Sequence, residues 1–121
     1  MSNANTPIAE WSQVGDVAVV DVLHREILGP EAAKTFGEQL GMLLSSGQNR
    51  LLLDFSKTQI ISSTAFGTLI NFWKKVEAAN GKLKICGMDS SVKIGADILG
   101  LGNYIPILDD RHDALKAFSE E

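Results

Sequence analysis

Residues 49–88 constrain the fold more tightly than any other part of the chain. An uninterrupted apolar run, NRLLLDF, is followed by a segment of helical period, an Asn80-Gly81 pair and a second apolar run, KLKICGM. Leu51, Leu52 and Leu53 leave no polar position for a solvent face, so this run reads as a central strand covered on both sides. Phe66, Leu69, Ile70, Trp73 and Val76 recur at three- and four-residue spacing, which places one apolar helix face against a core. Asn80-Gly81 supplies the C-terminal stop, and Lys82 to Met88 is the next strand. A strand, a helix and a strand in this order call for a right-handed crossover between parallel neighbours.

The flanking sequence extends the same alternation. Trp11 to Leu23, WSQVGDVAVVDVL, is rich in β-branched residues and broken by Gly15-Asp16, the pattern of a short hairpin. After His24 to Gly29, Pro30 fits the first turn of a helix because its missing N–H is not needed there, and Glu31 complements the positive end of the helix dipole. Ala33, Phe36, Leu40, Leu43 and Leu44 give that helix its apolar face, and Ser45-Ser46-Gly47 stops it. Ser91 to Leu101 is expected to form a second short helix with Val92, Ile94, Ile98 and Leu99 packed inward, ending at Gly100 or Gly102. Tyr104 to Leu108 is expected to be the last strand and Asp113 to Phe118 a closing helix. The result is an α/β fold with a mixed, mostly parallel sheet and helices connecting the strands. A length of 121 residues suits one domain, expected over residues 11–121 behind a flexible segment at 1–10.

Composition removes several classes of function. A formal charge of −4 and the lack of any basic run argue against binding nucleic acid or an acidic membrane face. No apolar block is long enough to span a bilayer, and MSNANTPIAE lacks the layout of a secretion signal, so a cytoplasmic location is expected. The single cysteine, Cys86, lies within a strand and reads as a buried thiol. His24 and His112 are far apart in sequence and neither has metal-ligand spacing. Ser63 does not sit on a G-x-S-x-G elbow, and the glycines form neither a phosphate loop nor a dinucleotide fingerprint. No catalytic residue, metal or cofactor is expected, and the chain is not read as an enzyme. Asp54 after a leucine-rich strand resembles the receiver domain of response regulators. The acidic pair such a domain needs is absent, because VAVVDVL is followed by His24-Arg25, and Cys86-Gly87 stands where a lysine belongs. Asp54 is therefore expected to satisfy loop amides at a strand end.

The hydroxyl cluster Ser62-Ser63-Thr64 in IISSTAFGTL joins the apolar approach to the helix of Phe66. By itself Ser63 reads as an N-cap accepting from the backbone N–H of Phe66 or its neighbour. With a strand, a six-residue loop, hydroxyls, a helix, an Asn-Gly turn and a strand in this order, the chain from Trp11 to Phe118 resembles a STAS domain of the anti-sigma-factor antagonist type. That family opens its helix with Asp-Ser-Ser-Gly-Leu-Gly, and the matching positions here are Ser62, Ser63, Thr64, Ala65, Phe66 and Gly67. The departures are Ser62 for aspartate, and Ala65-Phe66 for Gly-Leu. The resemblance implies a protein that binds an anti-sigma factor, itself a serine kinase, and is switched off when that partner phosphorylates Ser63, with Thr64 as the fallback acceptor. The partner surface then includes Ser62, Ser63 and Thr64 with Thr68 and Asn71 along the same helix, while Lys74 and Lys75 read as a solvated face. The alternative, favoured by Ser62, is a STAS-like scaffold or small-ligand or nucleotide-binding module without kinase input. A literal Asp89-Ser90-Ser91 further on follows a later strand, where an N-cap is the expected role.

Overall fold

Leu51, Leu52 and Leu53 are fully buried at the centre of a five-stranded sheet. The computed structural model describes residues 7–121. The chain runs β1 (Ala9–Val14), β2 (Val17–Val22), β3 (Glu26–Ile27), α1 (Gly29–Ser45), β4 (Arg50–Asp54), β5 (Ile60–Ile61), α2 (Ser63–Ala78), β6 (Lys82–Cys86), α3 (Ser90–Ile98), a 3-10 turn (Leu101–Asn103), β7 (Ile107–Leu108) and α4 (Arg111–Ser119). The sheet order is β1-β2-β4-β6-β7. β1 is antiparallel to β2 and every other neighbour is parallel, which is the expected mixed, mostly parallel sheet. β1 begins at Ala9 and Ile8 is buried, so the domain includes residues ahead of the boundary expected at 11. The remainder of the expected flexible segment, residues 1–6, lies outside the described residues.

Strand alternation divides the interior in two. Ala18, Val20, Leu51, Leu53, Leu83 and Ile85 point to the face covered by α1, α2 and α3. Val17, Val19, Leu52 and Cys86 point to the other face, where Ala114 and Phe118 of α4 cover them. Burial, with a smaller contribution from the Asp54 carboxylate, pushes the Cys86 thiol up to about 12, so this cysteine is an inert core group, as its strand position led us to expect.

Two glycines are dictated by close approach. A Cβ on Gly81 would lie 2.3 Å from the carbonyl oxygen of Asn49, and one on Gly87 would lie 2.8 Å from Asp54 Oδ1 at a φ of +76°. Asn80, at φ 57°, takes the left-handed position that ends α2, so the Asn-Gly pair acts as the expected stop.

Charged contacts at both ends fasten α4. Asp21 and Asp54 are paired in register near the ends of β2 and β4. Arg111 donates from Nε and Nη2 to Asp54 Oδ2 at 3.0 and 2.9 Å and also bonds Asp21. Asp54 Oδ1 accepts the Ser56 amide at 2.9 Å, the loop-amide role expected for it. Burial by itself would raise the Asp54 pKa, but the Ser56 and Arg111 hydrogen bonds outweigh it and hold the carboxyl below its ordinary value. At the far end Arg50 donates to the Phe118 carbonyl at 2.9 Å, and the Lys84 ammonium lies 4.8 Å from the centre of the Phe118 ring.

Three local expectations are corrected. Of the four residues expected to pack inward from α3, only Val92 does, joined by Ala96; Ile94, Ile98 and Leu99 are 61%, 78% and 44% exposed. Ile94 and Ile98 stand two residues from Val92 and Ala96, about 200° around the helix, so a helix apolar on several sides gave its period no single inward face. The last strand is only Ile107–Leu108, because Pro106 has no N–H to extend the ladder and the chain before it closes into the 3-10 turn. A two-stranded parallel ladder of β3 with β5 was not foreseen, since two residues carry no readable period.

Substitution should separate the glycines. Gly81→Ala is expected to lower stability by about 1–3 kcal/mol through the clash with Asn49. Gly41→Ala, in the interior of α1 with open space at its Cβ, should raise it by up to about 1 kcal/mol through helix propensity. Urea midpoints measure both, and a Gly81→Ala midpoint equal to wild type would rule out the close approach. Asp54→Asn should cost about 1–3 kcal/mol at neutral pH. Because folding depresses the Asp54 pKa, the wild-type advantage should be complete above the ordinary value of 3.8 and shrink as pH falls below it. A gap between the two proteins that persists undiminished into strong acid would show that the ionised contact contributes nothing.

Candidate functional site at the start of helix α2

The approach to α2 is pinned on both sides. Thr58, 1% exposed, donates its hydroxyl to the His24 carbonyl at 2.8 Å. Arg25 donates to Gln59 Oε1 at 2.7 Å, and the Gln59 amide returns a bond to the Arg25 carbonyl at 2.7 Å. Ile60 and Ile61 then pair with Glu26 and Ile27, and the Ser62 amide donates to the Ile27 carbonyl at 3.0 Å. The segment read from sequence as a loop is therefore held at a fixed position beside the chain leading into α1.

Ser62, not Ser63, is the N-cap. Its side-chain oxygen accepts the Ala65 amide at 3.2 Å and its carbonyl accepts the Phe66 amide at 3.0 Å. Its extended backbone, φ −75° and ψ 160°, is that of a cap residue. The expected capping role of Ser63 is thus corrected: helical geometry begins one residue earlier than the hydroxyl pattern alone could show. Ser63 is the first helical residue, exposed, with no side-chain hydrogen bond to another described residue. Thr64 follows, also exposed, and its carbonyl accepts the Thr68 hydroxyl at 3.2 Å.

The five residues expected to meet a partner are brought together. Ser62, Ser63 and Thr64 form the first turn, and Thr68 and Asn71 continue from Thr64 along one side of α2. Thr68, Asn71 and Lys75 line one wall of a groove of about 320 Å3, with Lys34, Gly37 and Gly41 of α1 on the other. Lys75 therefore belongs to this groove, whereas Lys74 stays on the exposed face.

The first turn of α3 lies beside this site. A Cβ on Gly95 would meet the Phe66 ring at 3.2 Å, and the Ser91 hydroxyl lies 3.4 Å from the Gln59 carbonyl. Asp89 caps α3 by accepting the Val92 amide at 3.0 Å and also accepts the Ser91 hydroxyl at 2.9 Å, so Asp89-Ser90-Ser91 plays the expected helix-start role. The Val92 amide first, and Ser91 second, hold the Asp89 carboxyl below its ordinary value. Further along α3, Ile94, Ile98 and Leu99 are exposed, and the exposed Tyr104 packs 5.2 Å from the Trp73 ring centre. The sequence missed this apolar surface, and it also missed Arg111 as the partner of Asp21 and Asp54. No sequence signal marked the second, since Asp21 and Asp54 become neighbours only when β2 and β4 pair. Among the described residues no group of three or more His, Cys, Asp or Glu side chains is placed to hold a metal, and no helix is long and apolar enough to cross a membrane.

Comparison with solved structures finds the same fold. A candidate anti-sigma factor antagonist of Thermotoga maritima superposes with a TM-score of 0.79 at 22% identity, covering 90% of this chain and 92% of its own. An anti-sigma factor antagonist of Mycobacterium paratuberculosis gives 0.79 at 19% identity, with coverage of 90% and 91%. The phosphorylated form of the Bacillus cell fate determinant SpoIIAA gives 0.67 at 15% identity, with coverage of 91% and 98%. At these identities the likeness is one of fold. No match was found among curated protein sequences. The sequence profile of the STAS domain matches residues 17–114, from the first buried residue of β2 into α4. With most of its length matched and the strand order and helix placement described above, this chain belongs to the STAS domain family.

Proposed function

We propose that the protein is a cytoplasmic anti-sigma-factor antagonist, without enzymatic activity of its own, that binds an anti-sigma factor with serine-kinase activity and is released when that partner phosphorylates Ser63. The observation that carries this is the division of labour in the first turn of α2. Ser62 supplies the cap, so the exposed Ser63 hydroxyl is left for transfer chemistry. Attack of Ser63 Oγ on the γ-phosphorus of ATP forms the phosphoester, breaks the bond to ADP and releases the hydroxyl proton. Thr64, exposed one residue on, is the fallback acceptor.

A phosphate on Ser63 carries about −1.5 to −2 charge at neutral pH and sits where free helix N–H groups and the dipole favour an anion. The domain therefore stays folded. Binding is what suffers, because burying that charge unpaired against a partner costs several kcal/mol and each ~1.4 kcal/mol is tenfold in affinity. The contact surface comprises Ser62, Ser63, Thr64, Thr68 and Asn71, extended by the apolar side of α3 with Ile94 and Ile98. A relative of this fold has been solved both unphosphorylated and phosphorylated, which supports a state change compatible with one architecture.

A second reading rests on the groove between α1 and α2. Its volume of about 320 Å3, with Thr68, Asn71, Lys34 and Lys75 at its walls, suits a small polar ligand or nucleotide on a scaffold without kinase input. Calorimetry with nucleotides and no protein partner separates the two, since only the second predicts heat of binding that survives Ser63→Ala.

With the cognate kinase and ATP, wild type should take up phosphate and Ser63→Ala should not. Loss of labelling in Thr64→Ala with full labelling of Ser63→Ala would move the acceptor to Thr64. Ser63→Asp should stay folded and lose at least about tenfold in affinity for the partner, while Ser63→Ala keeps wild-type affinity. Ser62→Ala should instead cost about 0.5–2 kcal/mol of stability without abolishing phosphorylation. Equal partner affinity of wild type, Ser63→Ala and Ser63→Asp would defeat the proposed switch. For the apolar side, Ile98→Asp should weaken partner binding while leaving the urea midpoint unchanged, because that side chain is 78% exposed.

A further inference from the structure

The edge of the main sheet opposite β7 is formed by β1, whose outer side carries no described strand. Its backbone direction can be assigned. The Leu23 amide donates to the Ile8 carbonyl, and the antiparallel register from Ala9↔Val22 to Val14↔Val17 is continuous, so Ile8, Glu10, Ser12 and Val14 turn their peptide groups toward β2. Ala9, Trp11 and Gln13 turn theirs outward. The Ala9 amide fits this phase, since it donates to Gln39 Oε1 of α1 at 3.0 Å. That contact closes one end of the edge and, among the described residues, leaves the N–H and C=O groups of Trp11 and Gln13 open.

Sheet edges are ordinarily blunted by lysine, proline, a bulge or an inward charge. AEWSQV has none of these; its one charged residue is Glu10, which is exposed. Beside the edge, Trp11, Gln39, Met42 and Leu43 line a groove of about 420 Å3. Trp11 is 47% exposed and Met42 73% exposed.

We propose that two copies of this chain pair through β1, antiparallel about a two-fold axis at Ser12, to make one ten-stranded sheet. A second copy offers the same outward donors and acceptors in the reverse sense, so partial charges match across the seam. Only outward-facing residues can form the hydrogen-bonded pairs. Centring on Trp11 would call on the Ala9 amide, which Gln39 already holds, whereas centring on Ser12 pairs Trp11 with Gln13 twice and uses both open residues. In that register Glu10 lies opposite Val14 and no like charges face one another. Trp11 and Trp11 of the partner subunit fall on the diagonal of the same sheet face, within reach for aromatic side chains, beside the groove under Met42.

Analytical ultracentrifugation of the full chain over a concentration series tests this, together with amide hydrogen exchange. Wild type should reach a dimer, and the Trp11 and Gln13 amides should exchange more slowly as concentration rises while the Ser12 amide is protected throughout. Gln13→Pro removes an outward N–H that β2 does not use, so it should weaken dimerisation about tenfold or more with the fold kept. Should Gln13→Pro fail to fold, Trp11→Lys decides, since it sets two like charges on the diagonal and should also give a monomer. A wild type monomeric at every concentration, or dimers of undiminished strength in both variants, overturns the proposal. Protection of Trp11 and Gln13 that appears only with the kinase partner would assign the edge to that partner and overturn it equally.

Discussion

The fold depends on burying β4 from both sides. Leu51 and Leu53 fill one interior and Leu52 the other, and each buried leucine contributes about 1.5–3 kcal/mol relative to exposure. One face is served by three helices, two of them long. The other has only α4, nine residues long, whose apolar contribution is Ala114 and Phe118 with the partly buried Leu115. That imbalance explains the charged fastenings at both ends of α4. Arg111 spans two neighbouring strand ends, and Arg50 and Lys84 reach Phe118 from the sheet. Without them the second face would rest on a very small contact.

The same parallel arrangement places the candidate site. A parallel strand delivers its following helix at its C-terminal end: β5 leads into α2, β6 leads toward α3, and α3 packs against β5. The middle of α3 packs against the first turns of α2 through Gly95 and Phe66, and both helices are capped by the residue just ahead of them. Serine at position 62 accepts the amide bond that aspartate would accept in the family pattern. Capping chemistry therefore tolerates the departure, because an N-cap needs a short side-chain oxygen and not a formal charge. What the replacement removes is a negative charge beside Ser63, on which the cap does not depend.

The apolar surface of α3 is consistent with a protein whose work is contact. A helix of nine residues against the margin of a sheet can bury one narrow side, here Val92 and Ala96, and the remaining isoleucines stay in solvent. Exposed apolar groups rimmed by polar ones mark interaction surfaces more often than accidents of composition. Membership of the STAS family and the position of Ser63 at the first turn of α2 give that surface its proposed occupant.

Much of this was legible in the primary structure. The leucine run could only be a central strand, the Asn-Gly pair could only end a helix where the backbone turns left-handed, and the spacing between Phe55 and Phe66 located the hydroxyl cluster at a helix start. Those features are local, and local sterics and periodicity fix them. Tertiary structure alone decided the others. Which hydroxyl caps and which is left exposed depended on where the β3–β5 ladder releases the chain, a contact between residues over thirty positions apart. Which side of α3 faces inward was decided by packing against the main core, because a helix apolar on several sides has no preferred face of its own. The pairing of Arg111 with Asp21 and Asp54, and the phase that turns Trp11 and Gln13 outward, exist only once the strands are in register, since no sequence period encodes a contact between distant segments.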